Sequence, residues 1–189
     1  MNGSLQNSKF IDKFTGFAAR LGGQIHLSSL RDAFATIMPL YILAGLAVLF
    51  NNTVFQWVLR GSALESAQYW GSMLVNGTLN ISSLLIASVI GYCLSRNRGY
   101  DNPMAAALVS LASLIVMMPG SVSVTPVGAS DAVTVSGVLS FGNVGTQAMF
   151  AGILIGLTAT ELFVYTAGIK KLQLSMGDGI PPAVGKSFS

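Results

Sequence analysis

A few side chains stand where chemistry or recognition would need them. Glu161 is the one acid inside a long apolar run, and lipid penalises a charge there strongly enough that an intramembrane acid defaults to a functional reading. Two readings stay open for it. It is either a structural or gating group, held by a hydrogen bond to Thr158 or Tyr165 at i−3 and i+4 or protonated at depth, or a group that handles a proton or a polar ligand. Asn76 and Asn80 lie four residues apart with Ser83 one turn on, so three hydrogen-bonding groups share one face of another apolar run. Such groups bond to neighbouring helices or line a cavity for a polar ligand, which makes Asn76, Asn80 and Glu161 the candidates for contact with such a ligand. His26 is the only histidine and Cys93 the only cysteine. Neither can assemble a metal site, and no Ser/His/Asp constellation forms around His26, which reads as an interfacial side chain beside Arg31 and Asp32. Cys93 reads as packing. With no Gly-rich phosphate loop, zinc-protease helix or paired carboxylates, the chain offers no phosphoryl acceptor of its own, no catalytic residue, no metal site and no cofactor.

These groups must be positioned by elements in a bilayer. Of 189 residues, 9% are charged and 52% hydrophobic, and the mean hydropathy is +0.64. An ordinary soluble domain carries roughly one-quarter charged residues, so this composition marks a membrane protein. The net charge of +3 comes from lysines and arginines clustered beside apolar runs, a pattern of topology control and not of nucleic-acid binding. The first thirty residues are amphipathic and lack the apolar core of a cleavable signal.

The predicted fold class is all-α integral membrane, with four transmembrane helices, interfacial amphipathic helices and a small exported loop. An interfacial segment over 9–31 carries Phe10, Phe14, Phe17 and Leu21 on one stripe, flanked by Lys9, Lys13 and Arg20. The uncharged run 33–59 is the first span, and Pro39 predicts a kink near its entry end because it removes the bond to the carbonyl of Ala35. A polar loop over 60–68 leads to a second span over 72–95. Asn102-Pro103 caps a third span over 103–119, where Ala106, Ser110 and Ser113 form a small-residue stripe. Residues 120–145 are too polar and glycine-rich to span, and the alternation at 121–125 and 132–136 suits a β-hairpin. The fourth span, 146–169, carries the close-packing pair Gly152 and Gly156. A second interfacial segment over 172–189 turns at Gly177-Asp178-Gly179 and opens a new helix at Pro181-Pro182.

Four spans place nine of the ten lysines and arginines on one side and Arg60 alone on the other. That asymmetry predicts an inner-membrane protein with both termini in the cytoplasm. Arg96, Arg98, Lys170 and Lys171, with Lys186, then form a basic cytoplasmic face. It serves either as a docking surface for a phosphorylated partner or as contact with anionic lipid.

The order Glu161…Tyr165, Lys170-Lys171, Gly179-Ile180-Pro181-Pro182-Ala183-Val184, Lys186-Ser187-Phe188 resembles the sugar permeases of bacterial phosphotransferase systems, specifically the IIC component of the lactose/cellobiose (diacetylchitobiose) family. Further matches lie at Gln24, His26, Leu27, Leu30-Arg31-Asp32, Phe34 and Met38-Pro39-Leu40, and more weakly at Asn76-Gly77-Thr78-Leu79. The resemblance implies a permease that translocates a β-linked disaccharide for phosphorylation by a IIB partner, itself served by IIA. It also implies homodimer contacts in this part of the chain. The family places its sugar pocket in the later half, where an Asn-Glu-Pro tripeptide is usual and is missing here. That favours the structural or gating role for Glu161. Because 189 residues end as a helix opens, the chain is expected to be the scaffold and dimerisation front part of something longer. The alternative from another class is a non-transporting four-helix membrane scaffold or regulatory subunit. An intramembrane enzyme comes third, with no constellation to support it.

Overall fold

The computed structural model of the chain describes residues 23–128 and 130–169. The expected interfacial helix at 9–22, the carboxy-terminal segment with Pro181 and Pro182, and the cations Lys9, Lys13, Arg20, Lys170, Lys171 and Lys186 lie outside the described residues.

Helix α1, Ile25–Leu49, continues through a π-helical turn at Phe50–Val54 and a last helical turn at Phe55–Val58. Together they make an unbroken 34-residue element. The polar stretch 25–31, expected as a separate interfacial approach, forms its first two turns. Pro39 sits inside α1 without ending it. The irregularity that the sequence did not signal comes later, in the π turn around Asn51.

The chain reverses at Gly61, whose φ of 62° is open to glycine at no steric cost, and enters α2, Ser62–Asn76. The polar loop expected at 60–68 is therefore mostly helix. Its residues Ser62-Ala63-Leu64-Glu65 are serviceable helix formers with an acid in the first turn, and their polarity masked the helical period. The expected second span, 72–95, is correspondingly divided. α2 closes at Asn76, the chain passes through Gly77-Thr78 and a 3₁₀ turn at Leu79–Ile81, and α3 runs over Ser82–Asn97.

Asn102 caps helix α4, Pro103–Val116, accepting from the Ala105 N–H at 3.3 Å with Pro103 at the first position. Strands β1, Ser121–Val124, and β2, Val133–Ser136, pair antiparallel with Val122 opposite Val135. A single turn at Phe141–Val144 and a 3₁₀ turn at Thr146–Ala148 lead into α5, Met149–Ala167.

Among the described residues, three elements are long and apolar enough to cross a membrane: Ile25–Val58, Ser62–Asn97 and Thr146–Ala167. Helix α4 is apolar but has 14 residues, about 21 Å at the helical rise against a hydrocarbon core of about 30 Å. The third expected span is thus a shorter element than 103–119 implied, because the chain turns at Met117 and Met118.

Helix α3 is the centre of the bundle and packs against α1, α4 and α5. Ile86, Ile90 and Cys93 of α3 meet Ala33 and Ile37 of α1 in a buried cluster, joined by Ile153 and Leu157 of α5. Large apolar groups such as Phe150, Leu154, Leu162 and Tyr165 point outward instead, the arrangement of a chain solvated by lipid. In lipid, close approach replaces hydrophobic burial as the source of helix association. On α5 only Gly152, Gly156 and Thr160 are buried, one turn apart. A Cβ on Gly152 would lie 2.7 Å from the Ser83 carbonyl oxygen, and one on Gly156 3.1 Å from that of Ala87. Gly91 of α3 admits Ser110 of α4 in the same way, and the Ser110 hydroxyl bonds to the Thr160 hydroxyl at 2.8 Å.

Candidate functional site

Two polar constellations stand at opposite ends of this bundle. The first joins His26 in the opening turn of α1, Arg98 at the end of α3 and Glu161 on α5. Arg98 reaches Glu161 Oε1 with Nη2 at 2.6 Å and Nε at 3.0 Å, and His26 Nε2 lies 2.9 Å from the same oxygen. The acid is about a third exposed, so the pairing is partly screened and worth less than a fully buried one.

The geometry explains how an apolar helix tolerates Glu161. It sits six residues before the end of α5, about 9 Å at the helical rise, level with the end of α3 and the start of α1. Neither Thr158 nor Tyr165 holds it. The Thr158 hydroxyl donates to the carbonyls of Leu154 and Ile155.

Neighbouring bonds thicken the same layer. Asn97 Nδ2 donates to Ser29 Oγ at 2.9 Å and to Ser28 Oγ at 3.4 Å, tying α3 to α1. Arg31 pairs with Asp32 at 2.9 Å, and Tyr100 meets Phe163 edge-on at 5.4 Å between ring centres. Of the cations expected on a docking face, Arg98 is spent inside this layer and Arg96 lies over the Tyr92 ring at 5.8 Å. His26 is not beside Arg31 and Asp32 alone but takes the acid of another helix. Part of the signal for this triad was in the sequence: the charge count put Arg98 on one side of the membrane, and the order of spans put His26 on that side with Glu161 in the nearer half of the fourth span. Pairing them needed the packing of α3 against α5.

The second constellation lies about 27 Å away along α3, counted from Arg98 to Asn80 at the helical rise. Asn80 Nδ2 donates to Asn76 Oδ1 at 2.7 Å across the Gly77-Thr78 break. Ser83, the third member of the expected polar face, turns away and donates to the Val144 carbonyl at 2.8 Å, so it serves packing. The sequence did not single out Asn51. Its side chain enters α2, where Nδ2 donates to the Gln68 carbonyl at 3.2 Å while Gln68 Nε2 donates back to the Asn51 carbonyl at 3.1 Å. It fills the place that a side chain on Gly71 would take, and its Oδ1 is buried without a hydrogen-bond partner. A π turn is the one available hint, since such bulges gather at functional positions, but it is invisible in sequence.

The contact of α1 with α2 leaves a groove on each side of Asn51. One, of about 430 Å³, is lined by apolar groups including Leu43, Leu46, Phe50, Trp70 and Leu74. The other, of about 280 Å³, is lined by Asn51, Asn52, Ser72, Asn76 and Asn80 with Val48 and Val75.

A family model described as "Phosphotransferase system, EIIC" matches residues 31–189. The lichenan permease IIC component of Bacillus subtilis (strain 168) is 31% identical over 94% of the chain and 39% of its own length. The cellobiose-specific EIIC component of Geobacillus stearothermophilus is 28% identical over 94% of the chain and 40% of its own length. Among solved structures, the transporter ChbC, the IIC component from the N,N'-diacetylchitobiose-specific phosphotransferase system, superposes with a TM-score of 0.80 at 25% identity, covering 95% of the chain and 42% of that protein. The chain spans about two fifths of the length of the curated relatives it matches.

Proposed function

Since the chain belongs to the phosphotransferase-system EIIC family, we propose that it forms the scaffold of a sugar permease that carries a β-linked disaccharide of the cellobiose or diacetylchitobiose type across the inner membrane for phosphorylation by a IIB partner, which IIA recharges. The observation that carries this reading is the likeness to cellobiose- and diacetylchitobiose-system components over almost the entire chain. No phosphoryl acceptor is needed within the bundle, because the sugar is phosphorylated by a separate component.

The His26–Arg98–Glu161 layer is then the cytoplasmic strut of the scaffold. It holds the ends of α1, α3 and α5 while other parts of the permease alternate around the sugar. Both termini face the cytoplasm, the strand pair faces outward, and two copies associate as a homodimer. The positive charges support the orientation: Arg31, Arg96 and Arg98 stand at the strut end and Arg60 at the opposite end of the long helices.

The test is uptake and phosphoenolpyruvate-dependent phosphorylation of cellobiose, diacetylchitobiose and lactose in a strain lacking its own IIC component, in which this chain is expressed with the later half of a related IIC component, IIB and IIA. Accumulation of one phosphorylated disaccharide is expected. Correct membrane insertion with no accumulation of any of the three overturns the proposal.

A further inference from the structure

We infer that the carboxamide-lined groove between α1 and α2 is a binding site for a neutral, polyhydroxylated ligand, an entry site for the saccharide separate from any pocket elsewhere in the permease. The identity of the ligand rests on the permease reading above; the existence of a polar site rests on the geometry alone.

The first argument is that the groove is polar where lipid would forbid it. The two sides of the Asn51 contact are sharply different. Helix α2 turns Ala67, Trp70 and Leu74 to the apolar side and Ser72 and Asn76 to the other. Carboxamides facing hydrocarbon without partners are costly, so the apolar groove takes the lipid side and the asparagine groove faces water or a polar ligand.

The second argument is chemical. The Asn80–Asn76 hydrogen bond uses one donor and one acceptor of the pair. Asn76 Nδ2 and Asn80 Oδ1 take no other hydrogen bond among the described residues and are not among the fully buried unpaired atoms. That leaves one donor and one acceptor side by side, whichever way the amides turn. A pair of adjacent hydroxyls, one accepting and one donating, is the complement of that pattern. Asn52 and Ser72, both exposed on the groove, add further groups of mixed donor and acceptor character. No charged residue lines the groove, so the ligand is neutral. Its volume of about 280 Å³ is near the lower end of ligand pockets, roughly 300–1,000 Å³, enough for part of a disaccharide.

The experiment uses the full chain in bacterial membranes together with a cysteine-free later half of a related IIC component, IIB and IIA. Cys93 is buried, so a cysteine introduced at Asn52 or Ser72 reports alone. Asn52→Cys and Ser72→Cys should react with a neutral, water-soluble methanethiosulfonate reagent, and saturating cellobiose or diacetylchitobiose should slow that reaction. Leu46→Cys, across Asn51 in the apolar groove, should show no sugar protection. In parallel, Asn76→Ala and Asn80→Ala should each raise the half-saturating sugar concentration for uptake about 5-fold, the loss of one hydrogen bond, with maximal uptake little changed. Unreactive cysteines would mean that lipid or protein fills the groove, and reactive cysteines without sugar protection would mean a water-filled space that does not hold saccharide; either overturns the inference. If the unsubstituted chain with that later half takes up no sugar, the permease reading fails, whereas sugar protection in that same assembly would still uphold the groove as a saccharide site.

Discussion

Arg98 places two nitrogens on a single oxygen of Glu161, at 2.6 and 3.0 Å, and so joins the residue that closes α3 to the side of α5. With His26 on that same oxygen, three helices end in one small electrostatic knot. Removing either charge leaves the other unpaired in a partly hydrated place, while replacing both removes the conflict.

Glu161→Gln is therefore expected to keep the acceptor for Arg98 and His26 and to lose less stability than Glu161→Leu. Because the acid is about a third exposed, Arg98→Met should cost about 1 kcal/mol, below the several of a buried pair. The double variant Arg98→Met/Glu161→Leu should be less destabilised than the two single effects added. Thermal unfolding in detergent measures all four, and strict additivity would show that the contact carries no energy.

The glycines of α5 should differ from the glycine of α1. Gly152→Ala forces backbone apart at the Ser83 carbonyl and should cost about 1–3 kcal/mol, with Gly156→Ala somewhat milder because its contacts begin at 3.1 Å. Gly45→Ala meets nothing within 4 Å and should be neutral or stabilising by up to about 1 kcal/mol through helix propensity. The same unfolding measurement ranks them.

Asn51 and Gly71 should behave as a coupled pair. Gly71→Ala evicts the Asn51 amide from α2, and Asn51→Ala in the same molecule removes the obstacle, so the second substitution should recover part of the loss caused by the first. Cross-linking between engineered cysteines on α1 and α2 would report the separation. Equal yields in the single and double variants would show that Asn51 does not set it.

Sidedness is checked by fusions. A reporter after Gly99 should read as cytoplasmic and one inserted near Ser130 as exported, following the distribution of arginines. An exported signal at Gly99 inverts the whole arrangement.

Composition and apolar runs made the helical membrane class legible, and the order of short motifs made the family legible. Small residues at helical spacing pointed to the Gly152, Gly156 and Ser110 contacts, since in lipid such residues have few other uses. Helix ends were less readable. The stretch at 60–68 reads as a loop when its polarity outweighs its periodicity, and the Gly77-Thr78 break lies hidden within continuous apolar sequence. Glu161 stood out on sight, but its partners did not, because residues 26, 98 and 161 meet only through tertiary packing. Asn51 was missed entirely: nothing local distinguishes it from Asn52, and only the π turn aims one into α2 and the other into the groove.

Helix α4 carries a mechanical consequence. It packs beside α3 and α5, both parts of span-length elements, yet its apolar length falls about 9 Å short of a typical hydrocarbon core. Were α4 to cross the bilayer, a shortfall of that size would be met by local thinning, at fractions of a kcal/mol per Å, leaving a dimple in the membrane along one flank. Elastic strain of that kind is relieved when two thinned flanks meet or when short-chain lipids gather there. Acyl-chain length would then become a variable that tunes where this chain settles in the membrane.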